Sequence, residues 1–357
     1  MEILELTMKN FYQLLMIPVC SILLVACGND TAQVAEQTPI TTPPVTAPQT
    51  IGRMLQPNAL IHIVADISPS IVFYRDGVGF DLVSGPVALE NSALLNHLQN
   101  DYPDASGQVA TFNIPGSEMD FQLISFSGVE GNTFSQRLYD PGVTRFSISV
   151  RDIDAAFAAV NEYDIIVDTT GGGPVYTQRP RNDTQAVMMR DPDGFVFEFV
   201  QSGNPIVTDV PESSNIYNAR SSLALEERER SMEFYGDILG YEAADPNTVI
   251  DAVLLLEGTP EAVATSGRTQ PPGSTNVWFF WEFSNIARTK REPNVQDPGA
   301  SVISLKVEGL SDLVNKIDEA GFSIVTAGRQ ALSLNNNRLG ILVRSPDGLL
   351  VELIEDL

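Results

Sequence analysis

From residue 59 the chain alternates between short apolar runs and helical patterns. ALIHIVAD (59–66) predicts a strand running into a short helix, for which Ser68 offers an N-cap and Pro69 suits the first helical position. Gly77 and Gly79 close that helix, and strands ending in MDFQLISFS (119–127) follow. TRFSISVRD (144–152) predicts a further strand. In the IDAAFAAVNEY stretch after it, Ile153, Ala156, Phe157 and Val160 share one helical face. RDPDGFVFEFV (190–200) predicts a tight turn feeding a strand that is apolar on both faces except for Glu198. NSALLNHLQNDY (91–102) reads as an extra helix, and SGNPIVTDVPESS (202–214) as a linker.

The pattern then repeats. SPSIVFYRDGVGF (68–80) matches ERSMEFYGDILGY (229–241), and IPGSEMDFQLISFSG (114–128) matches PPGSTNVWFFWEFSN (271–285). DPG recurs at 140–142 and 297–299, and RSPDGLLVELI (344–354) restates the Glu198 strand with Glu352 in its place. Four landmarks in the same order indicate a duplicated domain of roughly 145 residues. A carboxylate in such a strand is costly to bury unless protonated, paired or metal-bound, and here the problem arises twice.

A chain of 357 residues suggests about two domains, and 43% apolar residues can supply their cores. The net charge of −25 opposes binding to phosphate backbones, so no nucleic-acid partner is expected. Both cysteines fall in the first 27 residues. FYQLLMIPVCSILLVAC (11–27) is too short for a comfortable membrane span. It resembles a bacterial lipoprotein signal, with Leu24-Val25-Ala26-Cys27 as the lipobox. MEILELT is acidic where such a signal is basic, whereas a start at Met8 gives MKNFYQ. The expectation is a signal over 1–26, lipidation of Cys27, and a Pro/Thr-rich tether over 27–57. An uncleaved anchor helix is the other reading of the apolar run. Gly28 after the cysteine favours, by the same resemblance, an outer-membrane anchor facing the periplasm.

Strand-helix-strand-strand-strand, used four times, resembles the vicinal oxygen chelate superfamily of glyoxalases, bleomycin-resistance binders and extradiol dioxygenases. The S-x-x-FY-x-x-x-x-G[FY] stretches at 70–80 and 231–241 and the PDG-x-x-x-E stretches at 192–198 and 346–352 carry the resemblance, which covers 58–355. It implies an α+β fold of two tandem domains, 58–201 and 215–357, each of two βαβββ modules with a curved mixed sheet. In metal-using members four ligand positions, typically His or Gln, Glu, His and Glu, lie on the first and last strands of the modules. Here they fall on Ala59, Gln122, Arg145 and Glu198 in the first copy, and on Arg220, Phe279, Val302 and Glu352 in the second.

None of these is histidine. His62 is three residues from its nearest ligand position, so strand alternation turns it toward the helices. Zinc, nickel and iron sites rely on imidazole or thiolate, so no cofactor is expected. A hard divalent ion on Glu198 and Gln122 remains the metal-using alternative, with Arg145 beside it. The arginines suggest an ion pair in place of a metal. Either Arg145 meets Glu198 and Arg220 meets Glu352 within each copy, or the copies exchange modules. In the second case Arg145, Arg220 and Glu198 share one site and Glu352 stands alone.

Gln122, Ser147 and Ser149 leave polar groups around Arg145 and Glu198, whereas Phe279, Val302, Trp278 and Trp281 suggest a filled second cup. The glycine run GGGPV (171–175) lacks the context of a phosphate loop, and LEERERS (225–231) reads as a charged helix start. The leading expectation is a lipid-anchored envelope protein that binds a small anionic or carbonyl-bearing molecule without metal. Its ligand-binding residues would be Arg145, Glu198, Gln122, Ser147, Arg220 and Glu352. A divalent-metal lyase, isomerase or dioxygenase is the enzymatic alternative, and a structural or partner-binding envelope protein the third.

Overall fold

The computed structural model describes residues 52–177, 184–248, 262–334 and 337–357. The signal, Cys27 and nearly all of the tether lie outside the described residues. No helix among the described residues is long and apolar enough to cross a membrane.

Four modules follow one another. The first comprises β1 (Arg53–Ile63), α1 (Ile67–Val72), β2 (Asp81–Ala88), α2 (Ala93–Asp101), β3 (Ser106–Asn113) and β4 (Asp120–Ser127). The second comprises β5 (Thr144–Val150), α3 (Ile153–Val160), the short β6 (Ile166–Val167) and β7 (Val175–Tyr176), β8 (Gln185–Arg190) and β9 (Val196–Gln201). The third runs through β10 (Ile216–Ala224), α4 (Arg228–Met232), the short β11 (Glu242–Ala243) and β12 (Asn247–Thr248), β13 (Val263–Gln270) and β14 (Trp278–Ser284). The fourth holds β15 (Ser301–Glu308), α5 (Leu310–Glu319), β16 (Ser323–Ile324), β17 (Leu332–Leu334), β18 (Arg338–Arg344) and β19 (Leu350–Asp356).

β1 begins within the stretch read as tether, because Arg53 and Met54 pair with Glu308 and Val307. The cap of α1 is Asp66, two residues ahead of the expected Ser68; its carboxylate accepts the Ser68 amide at 2.9 Å. Asp is as good a cap as Ser, so the helix starts earlier than the pattern suggests.

The modules pair crosswise. Modules one and four build one mixed sheet in the order β16-β18-β19-β15-β1-β4-β3-β2, and modules two and three build the other, β11-β13-β14-β10-β5-β9-β8-β6. The two central seams, β1 with β15 and β10 with β5, are antiparallel and each joins the two sequence copies. Of the two arrangements left open by the sequence, the chain adopts the exchanged one.

Strand alternation divides each sheet into two faces. One face of both sheets, with the module helices, forms a continuous core that includes Leu60, Phe121, Phe146, Phe197, Phe280 and Leu353. Phe121 of one sheet and Phe146 of the other meet edge to face, their ring centroids 5.1 Å apart. The opposite faces carry the eight positions read above.

The recurring DPG and PDG motifs clasp the halves together. Asp140 accepts the Thr289 amide at 2.9 Å, and Asp297 accepts the Asn132 amide at 2.9 Å, each reaching the other copy's loop. Gly142 packs on the Asp347 carbonyl and Gly299 on that of Asp193. Both glycines have positive φ, 83° and 96°, so a side chain there would be strained as well as crowded.

Candidate functional site

On the helix-free face of the second sheet, residues 145, 147 and 149 of β5 lie between 196, 198 and 200 of β9 and 222, 220 and 218 of β10. One cross-strand row reads Arg220–Ser147–Glu198, and the next reads Phe279–Ser222–Arg145–Val196. Arg145, Glu198, Ser147 and Arg220 therefore share one face, as exchanged modules require.

The two arginines differ in state. Arg145 is buried; its Nη1 lies 3.4 Å from Glu198 Oε2, its Nε donates to Ser222 Oγ at 3.1 Å, and its guanidinium stands 4.9 Å from the Trp281 ring. These contacts offset much of the cost of burying the charge. Arg220 is exposed, and its guanidinium makes no hydrogen bond or ion pair with any described residue. It lines a pocket of about 520 Å³ together with Ser149, Asn218, Val200 and Thr208. Residues 202, 207 and 208 of the linker between the copies form part of the same wall.

Gln122 and Glu352, expected in ligand-binding roles, lie on the other sheet. Gln122 is therefore apart from Arg145 and Glu198, and Glu352 apart from Arg220, because the copies exchange modules. The face of that sheet turned away from the central core is occupied by α2. Ala93, Leu94, Leu95 and Leu98 pack there with Ile61, Val302, Leu342 and Leu350. Ser92 caps α2 through the Leu94 and Leu95 amides. Burial pushes the Glu352 carboxyl up, against opposing hydrogen bonds from Ser304 Oγ, at 2.7 Å, and the Ala93 amide. A helix N-terminus thus stands where a cation would otherwise sit.

The expected crowding of the second copy is distributed differently. Trp281 faces the Arg145 side, but Trp278 packs in the core between the sheets. Ser222 and Asn218 were not singled out from sequence, although their two-residue spacing from Arg220 is the signal that finds them. The linker residues had no comparable signal.

His62 is fully buried on the helix side, as alternation indicates. Its Nε2 lies 3.0 Å from Asp191 Oδ2, which also accepts the Tyr74 hydroxyl at 2.6 Å. Burial alone would lower the His62 pKa, but Asp191 outweighs it and the net shift is upward. Asp191 is held low despite its burial, chiefly by His62. Among the described residues, His62, Asp191 and Asp193 are the one group whose donor atoms lie close enough for a metal.

Those oxygens are already taken. Asp191 Oδ1 accepts the Asp193 and Phe195 amides, and Asp193 accepts the Ala65 amide and the Ser70 hydroxyl. In the second copy Leu223 and Ser345 stand where His62 and Asp191 are, while Asp347 keeps the role of Asp193. Asp347 accepts the Glu226 amide at 2.6 Å and the Ser231 hydroxyl at 2.8 Å. The cluster is a hydrogen-bonded tie between the first helix of each copy and its last turn.

The residues at the ligand positions do not fit a metal on either sheet. One offers Arg145, Glu198, Arg220 and Phe279, the other Ala59, Gln122, Val302 and Glu352. Each set of four positions has a single carboxylate, and neither set has imidazole or thiolate.

Residues 56–199 match the sequence profile of the Glyoxalase/Bleomycin resistance protein/Dioxygenase superfamily. No curated protein is significantly similar to the chain in sequence. Among solved structures, glyoxalase I from Zea mays aligns at 18% identity over 85% of this chain and 92% of its own, with a TM-score of 0.53. A glutamate-to-glutamine mutant of the same maize enzyme aligns at 17% identity over 85% and 94%, with a TM-score of 0.52. At these identities the likeness speaks for the fold alone. Over residues 56–199 the chain is thus similar in sequence to the glyoxalase/bleomycin resistance protein/dioxygenase superfamily, and its four modules share the fold of glyoxalase I.

Proposed function

We propose that this protein is a metal-independent binder of a small anionic or carbonyl-bearing molecule, held on the helix-free face of the β5–β10 sheet. The observation that carries the reading is Arg220, a cation without a partner among the described residues, in the wall of a roomy pocket beside an already neutralised Arg145–Glu198 pair. Pockets of about 300–1,000 Å³ suit small ligands. Arg145 fills one position where metal-using relatives carry a ligand, and Glu198 balances it. The same protein would be tethered to the envelope through lipidated Cys27, on the periplasmic side of an outer membrane.

The enzymatic alternative, a divalent-metal lyase, isomerase or dioxygenase, called on Glu198 and Gln122 together. They lie on different sheets, which disfavours it. Two measurements test the proposal. Protein purified without chelator should carry well below about one equivalent of divalent metal per chain. A stoichiometric, EDTA-sensitive ion would overturn the metal-independent reading. Ser149→Trp, which fills the pocket from β5, should abolish thermal shifts caused by metabolites. If no metabolite shifts the wild type, the structural or partner-binding reading takes its place.

A further inference from the structure

We infer that the ligand is a hydroxylated monocarboxylate of the sugar-acid type, with its carboxylate on Arg220. This rests on the binding reading above and narrows it. Among the described residues, Arg220 is the one charged side chain in the pocket lining, and no acid lines it. Arg145 does not add a second free charge, because it is buried against Glu198, Ser222 and Trp281. One planar guanidinium matches one carboxylate bidentately, whereas a phosphate dianion would keep a charge unmet.

The remainder of the wall favours hydroxyl groups over rings or alkyl chains. Ser149 and Asn218 face each other across the β5–β10 seam, and their side chains have no hydrogen-bond partner among the described residues. The Ser202 and Thr208 hydroxyls accept the Asn204 and Val210 amides at 3.1 and 3.2 Å, so their protons remain to be donated. An aromatic or aliphatic acid would cover these groups without pairing them, at a cost for each. Among the described residues, Val200 and Val207 supply the only purely aliphatic side chains of the lining. Arg145 acts as a positioning residue: it holds Glu198 and keeps that carboxylate from drawing in Arg220.

The test is calorimetric titration of the whole chain with galacturonate, gluconate, galactose, benzoate and inorganic phosphate. Galacturonate or gluconate should bind at least about tenfold more tightly than galactose, which lacks the charge, and than benzoate, which lacks the hydroxyls. Arg220→Gln should remove that advantage and Arg220→Lys restore part of it. Arg220 is exposed and unpaired among the described residues, so neither change should disturb folding, which the melting temperature checks. Asn218→Ala should weaken both sugar acids while leaving benzoate unchanged. Equal binding of benzoate would overturn the hydroxyl requirement, and equal binding of galactose the role of Arg220. A wider set of neutral, basic and phosphorylated metabolites separates the two readings. A different class that binds the wild type but not Ser149→Trp would overturn the sugar-acid inference while leaving the pocket a binding site. No binding from any class would overturn both.

Discussion

The two glutamates that close the repeated PDG strands have become different chemical objects. Glu198 balances the buried Arg145, so Glu198→Gln takes a counter-charge from a guanidinium that cannot release its proton. A loss of about 3 kcal/mol in urea unfolding is expected. Glu352 is pushed toward its neutral form and only accepts hydrogen bonds, which an amide oxygen also does. Glu352→Gln should therefore stay within about 1 kcal/mol of wild type at pH 7. Asp347 adds a pH dependence. Burial, outweighing its two hydrogen bonds, raises its pKa from 3.8 to about 7, and its Oδ2 is buried without a hydrogen-bond partner among the described residues. The folded state then holds the proton more tightly than the unfolded chain. Its contribution is full below about pH 4 and is lost as pH rises toward 7, a change on the order of 4 kcal/mol. Asp347→Asn should remove this slope, so its stability relative to wild type improves between pH 5 and pH 8 in parallel urea titrations. Two glycines of similar φ separate strain from crowding. Gly171→Ala, at φ 89° with nothing within 4 Å, should cost about 1–2 kcal/mol. Gly299→Ala, whose new Cβ would run into the Phe134 and Asp193 carbonyls, should cost several kcal/mol more.

Among the elements, α2 decides which face can work. As a helix it is readable from residues 91–102, with Ser92 before an apolar run, but nothing in that run says where it docks. In the fold it covers the face of the β1–β15 sheet turned away from the central core, which leaves the β5–β10 sheet as the candidate. Leu94→Ala should cost about 2–5 kcal/mol, because Leu94 is fully buried in that packing. Ligand binding at Arg220 should be unaffected, since the two sites occupy different sheets. A loss of binding in a variant that still melts cooperatively would show the two faces to be coupled. The linker is the converse case. Its composition marks it as a connector, yet residues 202, 207 and 208 line the pocket. Polar loop residues carry no periodicity from which such a role can be read.

At the scale of the whole molecule, the crosswise pairing makes each sequence copy incomplete. Residues 52–201 alone would leave β1 and β5 without β15 and β10, exposing two long strand edges. Neither 52–201 nor 202–357 should give a stable monomer by circular dichroism and gel filtration. Mixing the two should recover a folded one-to-one complex. A monomeric, cooperatively melting half would overturn the interlock, which also rests on the reciprocal ties of Asp140 to Thr289 and of Asp297 to Asn132.

Local order along the chain determined the four modules, the duplication, the side of the sheet that His62 faces and the sparse ligand set at the eight positions. Strand alternation, helical period and turn residues act over a few positions and leave their record in sequence. Tertiary structure alone decided which modules share a sheet. It put Arg220 with Glu198 rather than Glu352, separated Gln122 from Arg145, and placed α2 over one face. These outcomes depend on pairing between strands as far apart as Arg53 and Glu308. Such pairing follows from the complementarity of whole surfaces, and the period of a single strand does not specify its partner.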